Sequence, residues 1–441
     1  MSSASQFSLL KSRRFLPYFI TQALGAFNDN LYKNTLLLLI AFGGIVSTEA
    51  SALYTNLAAG LFILPFFLFS PIAGQIADKY EKSWLIRQIK LLEIVIMLLG
   101  ALAIISQHML AMMALLFLMG LQSALFGPVK FALLPQTLSE RELLGGNALV
   151  ETGTFLAILA GTILAAVLFD LTDARYWLAA GVVLFAGAGY LSARAVPEAC
   201  ATAPEMTINW NPFSEMDNTL RAANNSTGVL MAIIAISWFW FLGAAYLTQF
   251  ANLTRDYLGG SAQVVTLLLT LFSVGVACGS LLCEKLSGHK TEPGIVPLGA
   301  LGMSLAGIDL YFALNALPAI GESSLSGFLA QAGAWRVIVD ITLVSAFGGI
   351  FVVPLQTLIQ QRSDAALRAQ TIAANNLLNS VFMVLSAAAG IVSLAVLHYS
   401  IAAFFLQVSV LNLLVCALIF WRQPEYIKRF FLWLRGQTRQ H

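Results

Sequence analysis

Long apolar runs separated by short polar turns dominate the chain. Runs of spanning length fall at residues 15–42, 52–77, 84–106, 109–134, 144–169, 176–196, 228–254, 262–283, 294–317, 334–360, 369–397 and 399–422. A helix rises 1.5 Å per residue and needs about 20 apolar residues to cross a bilayer. The pattern therefore predicts an all-α membrane protein with twelve transmembrane helices. Connections are short with one exception. Residues 197–227, PEACATAPEMTINWNPFSEMDNTLRAANNST, are polar and divide the spans into two groups of six. Within them Asn211-Pro212 reads as an N-cap followed by proline at the first helical position, which predicts a short surface helix. The expected organisation is an N-terminal six-helix bundle (1–196), a cytoplasmic linker (197–227), a C-terminal six-helix bundle (228–423) and a basic amphipathic tail (424–441).

Composition agrees: 10% of the 441 residues are charged and 59% hydrophobic, with a mean hydropathy of +0.80, against about 25% charged in a soluble domain. The net charge of +2 points to neither an acidic partner nor nucleic acid. Where the charges lie matters more. With a cytoplasmic N-terminus, the inside segments collect Lys11, Arg13, Arg14, Lys79, Lys82, Arg141, Arg194, Arg221, Lys285, Lys290, Arg362, Arg368 and the tail. Outside loops hold little beyond Arg175 and Arg255, each beside an acid (Asp173, Asp256). This is the positive-inside asymmetry, with both termini cytoplasmic. The basic start reads as the flank of a retained first helix rather than a signal peptide. The tail around Lys428, Arg429, Phe430, Phe431 and Trp433 reads as an anchor on anionic membrane lipids or as an extension of the last span. Cys200, Cys278, Cys283 and Cys416 show no metal or disulfide spacing and read as packing residues; neither a metal nor a cofactor is expected.

The chemistry lies in polar residues inside the spans. Asp29, within Phe27-Asn28-Asp29-Asn30-Leu31-Tyr32-Lys33-Asn34, falls near the middle of the first span, where a charge costs about 2.5–3.5 kcal/mol on insertion scales. Asp29 and Lys33 are four apart and share a helix face, so they can pair. With Gln22 and Ala26 they form a polar and small stripe, read as facing substrate or as a buried structural pair. Lys130 follows Gly127-Pro128 in the fourth span, where proline removes a backbone donor and kinks the helix. Lys130 would hold a phosphate, pair with Asp29 or Glu151, or snorkel to the interface. Asn147 and Glu151 form a polar face in the fifth span, and Glu93 reads as a lone acid in the third. Asp29, Glu93 and Glu151 are the candidate proton carriers. Gln249, Asn252 and Asp309 supply polar groups from the second half, as do Asn375, Asn376 and Asn379, the last two read as packing glue. Arg336 and Asp340, one turn apart, read as a structural pair. The aromatic cluster Trp238, Phe239, Trp240, Phe241 and Tyr246 reads as an interfacial belt or, with these charges, as part of an amphiphile site.

The halves echo one another. Gly145-Gly146-Asn147-Ala148-Leu149-Val150-Glu151 corresponds to Ala373-Ala374-Asn375-Asn376-Leu377-Leu378-Asn379, followed by Gly161 and Gly390. Pro135-Gln136-Thr137-Leu138 corresponds to Pro354-Leu355-Gln356-Thr357-Leu358, and Asp78-Lys79 to Glu284-Lys285. Parallel six-helix repeats are a transporter architecture. Twelve spans in two halves, with Gly74, Asp78, Lys79 and Lys82 in the loop after the second span, resemble the major facilitator superfamily; Glu81 stands where that motif has glycine. Gly74 would permit close helix approach and Asp78 would meet a helix N-terminus or a basic partner, as a cytoplasmic latch.

Phe27-Asn28-Asp29-Asn30, Gly127-Pro128-Val129-Lys130-Phe131 and Asn147-x-Leu149-x-Glu151-x-x-Thr154 further resemble the lysophospholipid transporter branch. That resemblance implies two pseudo-symmetric bundles in the bacterial inner membrane, moving lysophospholipid from outer to inner leaflet for re-acylation by separate acyltransferase and ligase polypeptides. The polar groups inside the spans make Asn28, Asp29, Asn30, Lys33, Lys130, Asn147, Glu151, Gln249 and Asn252 the candidate substrate-binding or gating residues, and a monomer is expected. The branch carries a basic residue in the seventh span, where Gln249 stands here. The chain has no G-x-x-x-x-G-K-[ST] phosphate loop, and His108, His289, His398 and His441 do not form an acyltransferase motif. The alternatives are an exporter of drugs, siderophores or other amphiphiles on the same fold, and a non-transporting subunit that docks an acylation enzyme.

Overall fold

The structure, a computed structural model, describes residues 5–224, 227–259, 261–318 and 324–436. The predicted helix at Asn211-Pro212 is present, while residues 225–226 of the linker and 437–441 of the tail, including His441, lie outside the described residues. The first six spans are α1 (Leu16–Phe42), α2 (Thr48–Lys79), α3 (Lys82–Ile105), α4 (Met109–Thr137), α5 (Glu140–Phe169) and α6 (Ala174–Ala193); the linker helix is α7 (Pro212–Asn224). There follow α8 (Thr227–Tyr257), α9 (Ala262–Leu286), α10 (Val296–Ala316), the short α11 (Leu325–Leu329), α12 (Ala334–Arg362), α13 (Arg368–Gly390), α14 (Ile401–Arg422) and the tail helix α15 (Glu425–Leu434). Among the described residues, eleven helices are long and apolar enough to cross a bilayer by length and composition alone. The twelfth span is α1, whose 27 residues include Gln22, Asn28, Asp29, Asn30, Lys33 and Asn34. The twelve-helix fold is all-α.

Internal prolines do not end these helices. Pro65 and Pro71 lie inside α2, and Pro128 and Pro135 inside α4. Pro135 has no N–H for the carbonyl four residues back. That carbonyl, on Phe131, instead accepts from the Gln360 side chain at 3.1 Å. In hydrocarbon an orphaned carbonyl has no water to turn to, so a protein donor must replace the lost bond.

The chain divides into two compact units: Met1–Ser139, Leu156–Ser226 and Gln360–Ser380 form one, and Glu140–Phe155, Thr227–Ile359 and Val381–His441 the other. The division is not a single cut in the sequence. The segment opening α5 groups with the second unit and the segment opening α13 with the first, and these are the two segments whose sequences echo each other.

In the first unit the core gathers Leu31, Tyr32 and Leu36 of α1, Met97 and Ile104 of α3, Met112, Leu116 and Met119 of α4 and Val182 of α6. Tyr32 is fully buried and donates its hydroxyl to the Met112 carbonyl at 3.0 Å. Small residues set the helix spacing, as expected where packing rather than hydrophobicity drives association. A Cβ on Gly161 would collide with the Phe27 carbonyl, and one on Gly100 would lie 2.9 Å from the Tyr32 ring.

The second unit uses the same device. Gly279 of α9 lies against the Ala346 backbone, and Gly299 of α10 against Phe351 of α12. Trp238, Phe239, Phe241 and Tyr246 of α8 are buried here, not spread along an interfacial belt. Trp238 stacks on Phe241 at 4.6 Å and donates Nε1–H to Asn412 at 2.8 Å; Tyr246 stacks on Phe405 at 4.5 Å. The amphipathic α15 is a separate helix. Its Arg429 forks onto buried Glu292 at 2.6 and 3.0 Å, and Trp433 donates to the Leu286 carbonyl at 2.8 Å, while Lys428 and Phe431 stay exposed.

Gly161→Val is expected to destabilise the folded protein by the ~1–3 kcal/mol typical of overpacking, read as a lower melting temperature in detergent. Gly187→Val, at a position where a Cβ meets nothing within 4 Å, is expected to leave it unchanged.

Candidate functional site

The polar face of α1 is satisfied by α3 and α4. Asn28 donates Nδ2–H to Glu93 Oε1 at 3.1 Å, and Lys90 Nζ meets Glu93 Oε2 at 2.6 Å. Gln122 of α4 donates to the same oxygen at 3.3 Å, and Lys90 also lies over the Phe126 ring, 5.1 Å from its centre. Gly25 makes room for this group, since a Cβ there would sit 2.6 Å from Lys90 Nζ. Asp29 Oδ2 accepts from Ser123 Oγ at 2.6 Å.

Three sequence readings change. Glu93 is not a lone acid: it shares a fully buried ion pair with Lys90, both side chains 1% exposed. Asp29 takes Ser123 as its close partner, not Lys33, whose ammonium lies 5.6 Å from the centre of the Phe62 ring instead. Arg336 forks onto Asp309, Nε–H to Oδ2 at 2.9 Å, rather than pairing with Asp340 one turn along its own helix. Lys90, Gln122 and Ser123 were missed. Lys90 and Glu93 carry the i, i+3 spacing of a helical ion pair, so that pair had a sequence signal; the Gln and Ser had none.

The other candidates fall in separate places. Asn30 donates to the carbonyl of Ala26. Lys130 lies 5.0 Å from the centre of the Phe131 ring, and its carbonyl accepts from Tyr18 at 3.0 Å. Asn147 donates to Thr357 at 3.1 Å and is fully buried, as is Glu151 nearly so. Asn252 donates to Gln249 at 3.0 Å, so these two amides pair with each other along α8. Asn376 fills the space beside Gly127, while Asn375 and Asn379 are buried.

At the end of α2 the loop motif is assembled around one carboxylate. Asp78 is buried and accepts from the Ala369 and Gln370 N–H groups, both at 3.1 Å, in the first turn of α13. Free N–H groups and the positive end of the helix dipole favour a negative charge at that position. Gly74, one turn earlier, permits the approach: a Cβ there would lie 2.8 Å from Ala373 Cβ and Gln370 Cα.

The linker is strapped across the same loop. Thr202 and Ala203 donate to the Asp78 carbonyl at 3.0 and 2.9 Å, Thr202 Oγ1 donates to its carboxylate at 3.0 Å, and Lys82 N–H donates to Ala199 at 3.0 Å. Glu81 ties the strap down: it caps α3 through the Ser83 and Trp84 N–H groups at 2.8 and 2.5 Å and accepts from Ala199 N–H at 2.7 Å. A glycine in its place would forfeit all three. Partial burial works to raise the Glu81 pKa, but these N–H donors outweigh it and hold the carboxyl below its ordinary value. Lys79 lies near the Tyr80 ring and Lys82 reaches the Cys200 carbonyl at 3.4 Å. In the echoing loop Glu284 is buried 3.2 Å from His289 Nδ1, and Lys285 is exposed.

Comparisons with known proteins bear on the whole chain. The Major Facilitator Superfamily pattern matches residues 15–387. Among curated proteins, the chain is 26% identical over 394 residues to a Cronobacter sakazakii protein named lysophospholipid transporter LplT, covering 88% of this chain and 90% of that one. It is 28% identical over 388 residues to the protein of that name from Escherichia fergusonii, covering 86% and 87%. Among solved structures it resembles the human organic anion transporter MFSD10, with a TM-score of 0.73 and 16% identity over 92% of this chain and 99% of that one. The E. coli fucose:proton symporter FucP follows with a TM-score of 0.67 and 13% identity over 93% and 99%.

Two measurements follow from this geometry. Lys90→Met leaves Glu93 buried without its cation and is expected to destabilise by about 3–5 kcal/mol, whereas Lys90→Met with Glu93→Leu removes both charges and recovers most of the loss; melting in detergent compares them. Because the Glu81 pKa is depressed, its bonds are complete at neutral pH and fade as pH falls through that lowered value. A nitroxide on the exposed Cys200, in a Cys278→Ser background, should therefore become mobile on acidification in the wild type and already be mobile at neutral pH in Glu81→Gln.

Proposed function

Since the chain belongs to the major facilitator superfamily of membrane transporters, we propose that it moves lysophospholipids, such as lysophosphatidylethanolamine, from the outer to the inner leaflet of the bacterial inner membrane. Both termini are cytoplasmic in this reading, and separate enzymes re-acylate the product. The observation that carries it is the charged strip of α1: Asp29 on Ser123 and Asn28 on the Glu93–Lys90 pair hold both signs of charge inside a membrane helix. Intramembrane ionisable groups mark substrate or ion pathways, and a zwitterionic head group calls for both signs. The relatives named lysophospholipid transporter, matched over 90% and 87% of their length, support the lipid class.

In this mechanism Asp29 and Lys33 grip the head group in turn from each membrane face while the acyl chain stays in apolar surroundings. The Asp78 cap on α13 is made and broken as the helices move. Lys130, Glu151, Gln249 and Asn252 are proposed further contacts, with Gln249 replacing a charge by a neutral donor and acceptor.

The test supplies labelled lysophosphatidylethanolamine to spheroplasts that lack their own uptake. Wild type is expected to restore uptake and re-acylation, and Asp29→Ala to reduce them at least tenfold at equal expression. No uptake by a well-folded wild type would instead favour export of another amphiphile.

A further inference from the structure

The tail helix α15 is held to the second unit by one face and turns another face outward. Its ten residues rise about 15 Å, too little to cross a bilayer. It does not continue α14 either: Gln423 closes that helix at φ −125° and ψ 79°, and α15 restarts at Glu425. Arg429 forks onto Glu292, and Trp433 donates to the Leu286 carbonyl. The backbones also meet, since a Cβ on Gly294 would lie 2.6 Å from the Arg429 carbonyl. Leu286 ends α9, Gly294 opens the turn into α10, and Arg422 ends α14. The helix therefore lies across the ends of three membrane spans, at the level of one bilayer face. Trp421 marks the same level independently. It is exposed in the last turn of α14, with the Arg422 guanidinium 5.4 Å from its ring centre, and tryptophan at span ends is enriched in the head-group region.

The outward face has the chemistry of that region. Lys428, Phe431, Leu432 and the capping residue Arg435 are all exposed, and their i, i+3, i+4, i+7 spacing puts them on one side of the helix. Phe431 is 54% exposed, an apolar ring that gains by entering the acyl boundary. The only acid of α15, Glu425, lies in the first turn and accepts from the Gln423 amide at 3.0 Å. Two cations flanking two apolar side chains complement phosphate head groups above acyl chains. A protein partner would have to reach a face that lies at the lipid boundary.

We propose that α15 is an interfacial helix whose outward face binds anionic phospholipid. Lys428 and Arg435 take head-group phosphates while Phe431 and Leu432 enter the acyl boundary, tying the ends of α9, α10 and α14 to the leaflet. With the cytoplasmic termini proposed above, that is the inner leaflet. The binding itself depends neither on that orientation nor on the cargo.

A bimane fluorophore at Leu434→Cys, an exposed neighbour on α15, in a Cys200→Ser, Cys278→Ser background, reports lipid beside the helix. The full chain is reconstituted in phosphatidylcholine vesicles containing either brominated phosphatidylglycerol or brominated phosphatidylcholine, and quenching is compared. The anionic lipid is expected to bind beside the probe about fivefold more strongly, the preference of one Lys or Arg near an anionic surface. Lys428→Gln with Arg435→Gln should bring the ratio to one and leave quenching by brominated phosphatidylcholine in place. Equal quenching by both lipids with the cations intact overturns the anionic site, and this comparison requires no charge variant to fold. A preference that survives the double variant overturns the assignment to Lys428 and Arg435. Quenching by neither lipid puts the face in water, overturns lipid docking and favours a protein partner.

Discussion

A membrane helix has no water with which to satisfy a polar group, and the rest of this structure follows from that constraint. Glu93 shows it most directly. Buried in α3, it is held by Lys90, Asn28 and Gln122, so three helices are committed to one carboxylate. Removing Lys90 leaves the carboxylate buried with its charge uncompensated. Such a cluster fixes the mutual register of α1, α3 and α4 more tightly than apolar packing would, because a one-residue slip would strand the charge.

The same rule governs the backbone. Pro135 strands the Phe131 carbonyl, and Gln360 supplies the donor. The opening turn of α13 has free N–H groups, and Asp78 accepts from two of them. These two contacts differ in charge. The Gln360 contact sets a neutral amide from α12 on a carbonyl of α4, whereas the Asp78 cap sets a carboxylate on the end of α13; both join helices distant in sequence and can be broken by moving one helix. The linker reinforces the second kind, since Thr202 and Ala203 bind the same residue and Glu81 holds Ala199 beside it. The residue that departs from the superfamily's loop motif thus has a definite task in this chain.

Much of the architecture was legible in the sequence because it depends on quantities that are local. Span length follows from bilayer thickness, so twelve apolar runs gave the helices, and Asn211-Pro212 marked α7 from its capping chemistry. The site was less legible. Asp29 stood out as a charge in an apolar run, yet its partner Ser123 is one of many serines, and nothing in the spacing of either predicts the 2.6 Å contact. The α8 aromatics were open between an interfacial belt and an interior site, and only packing shows that Trp238 finds Asn412 inside the bundle. Arg336 lay one turn from Asp340, the partner suggested by helix periodicity, but a neighbouring helix brought Asp309 to it.

The sequence by itself determined that this is a multi-pass helical membrane protein, that a few charges lie inside its spans, and that its two halves echo each other. Those conclusions need only the cost of polar groups in hydrocarbon and the geometry of one helix. Tertiary structure decided which charges are paired, as Lys90 with Glu93 and Arg336 with Asp309. It also decided where the opening segments of α5 and α13 belong. Each of these depends on the approach of residues distant in sequence, and an individual helix carries no record of the face its neighbour presents.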